Sequence, residues 1–595
     1  MSSVSGKAFD LKLFRRVLSY AKPYKGLFIL SLVLTVIRGV LVPIRIILMA
    51  DMVGDYVQGA DKQGPLNELF VKAAVLLGLL VLEAVLQFVI TYMSNIIGQN
   101  VIRDLRIQLF KKITEFRLKY FDQNPIGRLV TRAVSDIETV ADVFSQGILT
   151  ITADLLTLIV VMLAMIWYDW QFAIAALLPI PIVVWATSIF KKKIKSAFTD
   201  VRTEVSNLNT YTQEHITGMK IVQIFNREKK EAETFNEINK RHRKAHIKSV
   251  WAFSVFLPVV EIIGALSLGL IILFTIFKVG NGVTDARVLA QSFTAFVLFN
   301  ASMYRPIRML ADRFNTLQMG MVGSDRVFKV LDTESYVVNT NRISSATFDG
   351  AINFKNVRFA YNEPEWVLKD VSFEVKAGET VAFVGATGAG KTSIISLLSR
   401  FYEFQKGDIL IDGESIRDYS LEAIRENIAL VLQDVFLFSD SIINNITLNN
   451  PKISRQEVID AAKHVGAHDF IMRLPGNYDF DVKERGGTLS VGQRQLISFI
   501  RAYVYKPKLL ILDEATSSID TESELIIQKA IEKLTENCTS IVIAHRLSTI
   551  QKSDRIIVLD KGEIVEQGNH HELLKLEEGH YKKLHDLQFK EVTYS

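Results

Sequence analysis

The sequence predicts two joined domains, an all-α domain that crosses the membrane several times and an α/β domain that binds a nucleotide. Three observations predict this class. Of the 595 residues 49% are apolar, and the apolar excess is concentrated before about residue 320. Six stretches there are long enough to cross a bilayer as helices, which takes roughly 20 apolar residues each. Further on, short apolar runs alternate with helical ones, and one run leads into Gly385–Thr392, a full match to the phosphate-binding pattern G-x-x-x-x-G-K-[ST].

Residues 1–25 are predicted to form an amphipathic elbow helix at the membrane surface. Apolar positions such as Phe9, Leu13 and Val17 alternate with charged ones such as Arg16 at helical spacing. An ordinary cytoplasmic helix would show the same pattern. The mixture of charges argues against a cleavable signal peptide.

The six apolar stretches predict six transmembrane helices, several of which continue into the cytoplasm. They lie near residues 26–50, 68–95, 138–166, 171–190, 250–277 and 286–310. Basic residues precede the first stretch and fill the connections 96–137 and 191–249. Because loops rich in Lys and Arg stay in the cytoplasm, both chain ends and both long connections are predicted to be cytoplasmic. The mild net charge of +5 mostly reflects these segments.

The two long connections are predicted to be helical hairpins with apolar tips. The tips are Tyr120–Gly127 and Glu214–Phe225. An exposed apolar tip suits docking onto another cytoplasmic surface. The alternative is that these residues pack only within their own hairpins.

Ionisable residues inside the predicted spans are costly and are usually functional or paired. They are Arg38, Arg45, Glu83, Asp154 and Glu261. Arg38 and Glu83 lie at similar depth, so a structural pair between them is favoured over a ligand role. Arg45 can extend its guanidinium outward to the interface.

A change of composition marks the domain boundary. Glycine, serine and asparagine between residues 320 and 350 end the membrane character and predict a linker at 321–350. The membrane domain is therefore predicted at 26–320 and the α/β domain at 351–595, where strands alternate with helices.

The phosphate-binding pattern stands between a predicted strand, Thr380–Val384, and a predicted helix that starts at Ser393. In this setting backbone N–H groups and a helix N-terminus face an anion. Lys391 is predicted to reach the β- and γ-phosphates, and the Thr392 hydroxyl to bind Mg²⁺. Tyr361 is placed where its ring could stack on the base. The predicted nucleotide-binding residues are Tyr361, Gly385, Ala386, Thr387, Gly388, Ala389, Gly390, Lys391, Thr392 and Ser393.

Two carboxylates end another predicted strand. Leu509–Leu512 is a buried apolar run, and Asp513 and Glu514 follow it directly. The carboxyl ends of parallel strands form the usual ligand edge of such a sheet. Asp513 therefore suits Mg²⁺, and Glu514 is placed to polarise the attacking water.

Three further polar residues occupy comparable positions. Gln433 follows the predicted strand Ala429–Leu432, where it could sense both Mg²⁺ and a neighbouring domain. His545 follows Ser540–Ala544, within reach of a γ-phosphate. Ser490 is a predicted N-cap of a helix whose N-terminus would attract phosphate, although it could serve as a cap alone.

In this order the motifs resemble the nucleotide-binding domain of ATP-binding cassette (ABC) transporters. The phosphate loop, the Q-loop at Gln433, the Walker B carboxylates, the switch histidine His545 and the A-loop aromatic Tyr361 all match. Further matches are the signature Leu489, Ser490, Val491, Gly492 and Gln493, the D-loop Ser517–Asp520 and the X-loop Val482–Gly487. With six spans fused ahead, nearly the whole chain resembles a bacterial half-transporter of the type IV exporter group, the multidrug and lipid-flippase kind.

The resemblance implies a role for each motif. ATP would be held between the phosphate loop of one copy and the signature of another, so a dimer is expected; a homodimer is favoured and a heterodimer stays open. Residues 120–130 and 211–225 would be coupling helices.

The resemblance also assigns the residues of the ATP site. The implied Mg²⁺ ligands are Thr392, Gln433 and Asp513. The implied catalytic residues are Glu514, His545 and Gln433, and Asp520 is the D-loop residue. Val491 departs from the usual glycine of the signature, and Ile519 from the usual leucine of the D-loop.

The function implied is ATP-driven export or flipping of an amphipathic small molecule or lipid across the cytoplasmic membrane by alternating access. The N-terminus and the nucleotide domain would be cytoplasmic, and the bilayer, but no nucleic acid, would be a partner. The alternative is an ATP-gated channel or regulatory membrane protein that uses the nucleotide domain as a switch. An intact Glu514 and the lack of a long regulatory insertion favour the pump.

Overall fold

The computed structural model describes most of the chain as two compact units. The described residues are 11–59, 66–281, 285–337, 339, 342–344, 348–514, 521–536, 538–544 and 547–589. The first unit comprises Met1–Thr114 with Ile126–Thr333, and the second comprises Glu115–Pro125 with Glu334–Ser595.

The secondary structure described in the first unit is helical. Its α-helices are Leu11–Ser19, Lys25–Gly59, Leu66–Thr114, Ile126–Thr131, Ile137–Asp142, Leu149–Tyr168, Trp170–Leu177, Ile180–Thr217, Met219–Ile224, Glu228–Gly280 and Ala286–Leu331, with a 3₁₀ turn at Lys22–Tyr24 and π-helical turns at Arg132–Asp136 and Val143–Ile148. Leu66–Thr114 has 49 residues and Glu228–Gly280 has 53. Roughly 20 residues cross a bilayer, so both helices extend well beyond one.

Five helical segments of the described chain are long and apolar enough to cross a membrane. They are Lys22–Gly54, Glu68–Thr114, Ile126–Tyr168, Trp170–Phe190 and Glu228–Gly280. Each contains one of the six predicted spans. The sixth prediction, 286–310, falls in the helix Ala286–Leu331, which is not among the five. Polar residues such as Gln291, Asn300 and Arg305 interrupt its apolar sequence. The helical membrane unit is confirmed, but the count of six spans is not.

The turn between the third and fourth spans is built by one side chain. Asp169 is the N-cap of Trp170–Leu177, and its Oδ1 accepts hydrogen bonds from the backbone N–H groups of Gln171 and Phe172, at 3.0 and 3.2 Å. Two donors at a helix start are thereby satisfied, which explains why so short a connection suffices.

The ion pair inside the first unit differs from the predicted one. Arg45 Nε donates to Glu83 Oε1 at 3.0 Å, whereas Arg38 makes no such bond. Both arginines lie on one face of their helix, about two turns apart, so the relative height of the two helices decides which of them meets Glu83. The predicted pair between Arg38 and Glu83 is therefore wrong, and Arg45 is the partner of Glu83. The Nε of Arg38 is buried and has no hydrogen-bond partner within the described residues.

The second unit is an α/β structure with two sheets. Its strands are β1 Ile352–Phe359, β2 Leu368–Val375, β3 Thr380–Val384, β4 Lys406–Ile411, β5 Glu414–Ser415, β6 Ile428–Val431, β7 Leu509–Glu514, β8 Thr539–Ala544, β9 Arg555–Asp560 and β10 Glu563–Gly568. One sheet is antiparallel, in the order β2-β1-β4-β5. The other has the order β10-β9-β3-β8-β7-β6 and is parallel except for the β9–β10 hairpin. The predicted alternation of strands and helices is confirmed.

Helices cover the second unit and connect its strands. They are Leu118–Gln123, Lys391–Leu398, Leu421–Asn427, Ile442–Thr447, Arg455–Val465, His468–Met472, Val491–Val504, Thr521–Thr535, Leu547–Lys552, His570–Leu574 and His580–Phe589, with 3₁₀ turns at Asn477–Asp479 and Glu484–Gly486. The helix Val491–Val504 buries Leu496, Ile497, Phe499 and Ile500 against the larger sheet's apolar core. Leu118–Gln123, the tip of the first hairpin, belongs to this unit.

Candidate nucleotide-binding site

Four adjacent parallel strands bring most of the predicted site residues to one edge of the larger sheet. In the order β3-β8-β7-β6, the phosphate loop follows β3, Asp513 and Glu514 end β7, and Gln433 comes just after β6. Glu514 pairs in register with Ala544, the last residue of β8. His545 comes next in sequence, but it lies outside the described residues, as does Asp520. The side chain of Glu514 is also not described.

The phosphate loop passes close to the neighbouring backbone. A Cβ at Gly385 would lie 2.2 Å from the carbonyl oxygen of Leu559 on β9. Gly390 has a φ of +105° and directly precedes the helix Lys391–Leu398, and a Cβ there would lie 2.7 Å from Leu368 Cδ2. Gly385 is thus required because the backbone of β9 approaches it closely, and Gly390 is required because its backbone is left-handed.

Lys391 is held across this loop. Its Nζ donates to the carbonyl oxygens of Gly385 at 2.6 Å and Ala386 at 3.1 Å. Burial lowers the pKa of Lys391, and the nearby charge of Asp513 opposes that shift. Lys391 and Asp513 thus belong to the same edge of the larger sheet, where a helix also begins directly after the phosphate loop. A cation, a carboxylate and a helix N-terminus at one edge suit a phosphate with a divalent cation.

Tyr361 lies beside the helix that follows the loop. Its hydroxyl is 3.1 Å from the Oγ of Ser393, and its ring meets those of Phe359 and Tyr402 edge-on, with centroids 4.7 and 4.8 Å apart. These contacts fix an aromatic ring next to the phosphate loop, as a base-stacking residue requires.

Sequence reasoning did not find the residues that attach the first hairpin tip to this site. Lys119 Nζ donates to the carbonyl oxygen of Tyr361 at 2.9 Å, and the hydroxyl of Tyr402 donates to the carboxylate of Asp122. The backbone N–H of Arg117 donates to the carbonyl oxygen of Ser335 at 2.8 Å. In the sequence, the apolar residues of the tip were the one signal of docking. The polar contacts that hold the tip could not be predicted, because they depend on how the chain packs. For the first hairpin, these contacts support docking of the tip onto the nucleotide domain, rather than packing of its residues only within the hairpin.

The second hairpin tip presents an exposed apolar surface. Its short helix is Met219–Ile224, and the side chains of Ile221, Ile224 and Phe225 are 63, 74 and 69% exposed. An apolar surface of this kind is typical of an interaction site.

The signature segment begins a helix, as predicted. Ser490 is the N-cap of Val491–Val504: its Oγ accepts from the backbone N–H of Gln493 at 3.2 Å, and its own N–H donates to Gln493 Oε1 at 3.0 Å. Leu489 and Gly492 are buried, whereas Ser490 and Val491 are exposed. The backbone carbonyl oxygen of Ser490 accepts from the N–H of Arg494 at 3.0 Å, and within the described residues the Ser490 hydroxyl bonds only to Gln493.

Replacing Gly385 with alanine is expected to abolish ATP binding and to lower the melting temperature. The new methyl group would overlap the carbonyl oxygen of Leu559, which the β9 backbone holds in place. Gly388→Ala is the matched control, because a Cβ there meets nothing within 4 Å and only its φ of +84° is unfavourable. We expect Gly385→Ala to cost about 1–3 kcal/mol more than the control. Binding of a fluorescent ATP analogue and thermal unfolding of both variants test this, and equal behaviour would refute it.

Comparisons with known proteins agree with this site and this fold. Residues 28–306 match the family described as "ABC transporter transmembrane region", and residues 368–517 match "ABC transporter". The chain is 36% identical to an ATP-dependent lipid A-core flippase of Syntrophus aciditrophicus, over 98% of this chain and 95% of the relative. It is 37% identical to an uncharacterized ABC transporter ATP-binding protein of Bacillus subtilis, over 96% and 93%. It is also 37% identical to a probable multidrug resistance ABC transporter ATP-binding/permease protein of the same organism, over 86% and 76%.

Proposed function

The chain belongs to the ABC transporter family, as a half-transporter of the exporter type, and on that premise we propose that it uses ATP hydrolysis to export or flip an amphipathic small molecule or lipid. The observation that carries the proposal is the contact between Lys119, on the tip of a membrane-helix hairpin, and Tyr361 beside the phosphate loop. Such a contact lets a change at the nucleotide reach the membrane helices. The relatives named as a lipid A-core flippase and a multidrug transporter support the amphipathic class of substrate.

We propose the following arrangement in the membrane. The elbow helix would occupy residues 1–25, the membrane domain 26–320, the linker 321–350 and the nucleotide domain 351–595. The helix Ala286–Leu331 would supply a sixth span, because its N-terminal half is long enough to cross a bilayer although polar residues interrupt it. An even number of spans leaves both chain ends on the cytoplasmic side of the inner membrane.

The hydrolytic step is assigned to residues at the sheet edge. Lys391 and the loop N–H groups would hold the phosphates, Glu514 would orient and deprotonate the attacking water, and His545 would support the γ-phosphate. Thr392, Gln433 and Asp513 offer the oxygen ligands that Mg²⁺ prefers, and Asp513 is in β7, at the same sheet edge as the phosphate loop. When bound, Mg²⁺ would supply charge stabilisation at the phosphates.

The ATP site is proposed to be completed by a second copy of the chain. Ser490 and Gly492 of the signature would contact the γ-phosphate held by the other copy, and Asp520 would lie at the same interface. A homodimer is favoured because every catalytic position is intact, although Val491 is compatible with an unequal partner. Closure around ATP would move the hairpin tips and open the membrane domain outward, and hydrolysis would reset it.

Reconstitution of the purified chain in liposomes tests this function. We expect ATP-dependent movement of a fluorescent short-chain lipid or an amphipathic dye toward the face opposite the nucleotide domain, with ATP turnover stimulated by the transported compound. Liposomes with the Glu514→Gln variant are the control and should show neither. A steady, ATP-gated ion conductance without directional movement would instead indicate a channel.

A further inference from the structure

A basic cavity lies beside the docked hairpin tip, and Tyr402 forms part of its lining. It measures about 400 Å³ and is enclosed by the tip, the end of β1 and the segment that follows the helix Lys391–Leu398. Its ionisable lining residues are Arg117, Lys119, Arg400, Glu403 and Arg417. All of these residues belong to the second unit.

The lining of the basic cavity carries an excess of positive charge. Glu403 is its one carboxylate, and it is already shared: Arg400 Nη2 lies 3.1 Å from Glu403 Oε1, and Arg417 Nε lies 3.3 Å from Oε2. Arg400 is only 2% exposed, and its Nη1 donates to the carbonyl oxygen of Tyr419 at 2.9 Å. Four cations facing one carboxylate make the cavity a favourable place for an anion.

Two of these cations have hydrogen-bond donors to spare. Arg117 Nε donates to Ser335 Oγ at 3.2 Å, which leaves both terminal nitrogens without a protein partner in the part of the chain that is described. Lys119 makes one bond, to the carbonyl oxygen of Tyr361, although an ammonium group has three donors. A planar guanidinium fork next to an ammonium group matches the oxygens of a phosphate.

Aromatic side chains complete the lining of the basic cavity. Tyr336, Phe401 and Tyr402 present rings to it, and Tyr336 is 53% exposed. Burial and the bond to Asp122 raise the pKa of Tyr402, so its hydroxyl stays neutral. Rings beside cations favour a ligand that has a flat ring as well as a phosphate group.

We propose that the basic cavity is a second ligand site, which binds a small soluble molecule carrying a phosphate group and a flat ring. An occupant would contact Lys119, whose ammonium group holds the carbonyl oxygen of Tyr361, and Tyr402, whose ring supports that of Tyr361. The lining of the basic cavity includes none of the phosphate-loop residues, but two of its residues contact the proposed base-stacking residue Tyr361. The proposal does not depend on transport, because its ligand is held by the second unit alone.

Pyridoxal 5′-phosphate is a suitable probe, since it has the phosphate, the ring and an aldehyde that reacts with lysine. Its aldehyde carbon bonds to Lys119 Nζ with loss of water, and borohydride reduces the resulting imine to a stable amine. Full-length protein in nanodiscs is labelled without nucleotide, because ATP itself carries phosphates and a flat ring, and mass spectrometry separates modified Lys119 from modified Lys391. We expect labelling of Lys119 that pyridoxine 5′-phosphate suppresses and unphosphorylated pyridoxine does not.

Variants of Arg117 test the phosphate contact. Arg117→Gln is expected to slow labelling of Lys119 about tenfold, because one charge-assisted contact is lost. Arg117→Lys should restore much of the rate, and Lys355→Gln, an exposed cation on β1 outside the cavity, should change nothing. Labelling of Lys119 that is unaffected by Arg117→Gln, or equally suppressed by both pyridoxines, would overturn the proposal. Because the readout is labelling rather than turnover, it is independent of whether the protein transports.

Discussion

Replacing Glu514 with glutamine is expected to reduce ATP hydrolysis by about 10²–10⁴-fold while ATP stays bound. Glutamine keeps the size and shape of the side chain but cannot accept a proton from the attacking water. The backbone position of Glu514 supports this role: it ends β7, one residue after Asp513, and pairs with Ala544 at the end of β8. The backbone of Glu514 is therefore held by the sheet and not by the loop beyond it.

The measurement compares steady-state phosphate release with the amount of ATP retained after rapid gel filtration. Glu514→Gln should retain ATP that the unmutated protein hydrolyses and releases. Glu563→Gln, an exposed carboxylate on the edge strand β10, is the control for loss of negative charge and should behave like the unmutated protein. Near-normal turnover in Glu514→Gln would show that another group activates the water.

Much of the nucleotide domain was predictable because its signals are local. Buried apolar runs mark the parallel strands, and each site residue follows its own run directly. Because the carboxyl ends of parallel strands lie at one edge of a sheet, the sequence predicts that these residues share that edge. The order β3-β8-β7-β6 could not be derived in the same way. Strand neighbours depend on long-range pairing, and β8, late in the chain, inserts between β3 and β7.

Predictions about the membrane unit were less complete for a related reason. Span lengths follow from composition, but the contact between two helices depends on their rotation and relative height. Arg38 and Arg45 share a helix face, and only packing decides that Arg45 meets Glu83. The contacts of Lys119 with Tyr361 and of Asp122 with Tyr402 likewise depend on packing.

The composite ATP site makes a prediction about how two mutations combine in one dimer. Lys391→Ala removes the phosphate-binding cation from one half of a site. Ser490→Asp damages the other half, because it places a negative charge where the γ-phosphate would bind, and opposing like charges cost several kcal/mol. Asp is a good N-cap, so the helix Val491–Val504 should keep its start. Ser490→Asn, a neutral cap, is the matched control and should leave most of the activity.

Two heterodimers with the same mutations then separate the alternatives. In the cis dimer one chain carries both mutations and the other none; in the trans dimer each chain carries one. If each site joins the loop of one chain to the signature of the other, the cis dimer has two damaged sites and the trans dimer has one intact site. We therefore expect the trans dimer, isolated with two affinity tags, to occlude at least about tenfold more ATP than the cis dimer.

The opposite ranking would contradict the composite site. If each chain formed a complete site alone, the unmutated chain of the cis dimer would be the one that occludes ATP, and the trans dimer would have no intact site. Occlusion is a better measure than turnover here, because turnover also requires the two sites to act together. The geometry of a single chain favours the first outcome: Ser490 is exposed at a helix start and its hydroxyl bonds only to Gln493 among the described residues, while Lys391 is buried in its own loop.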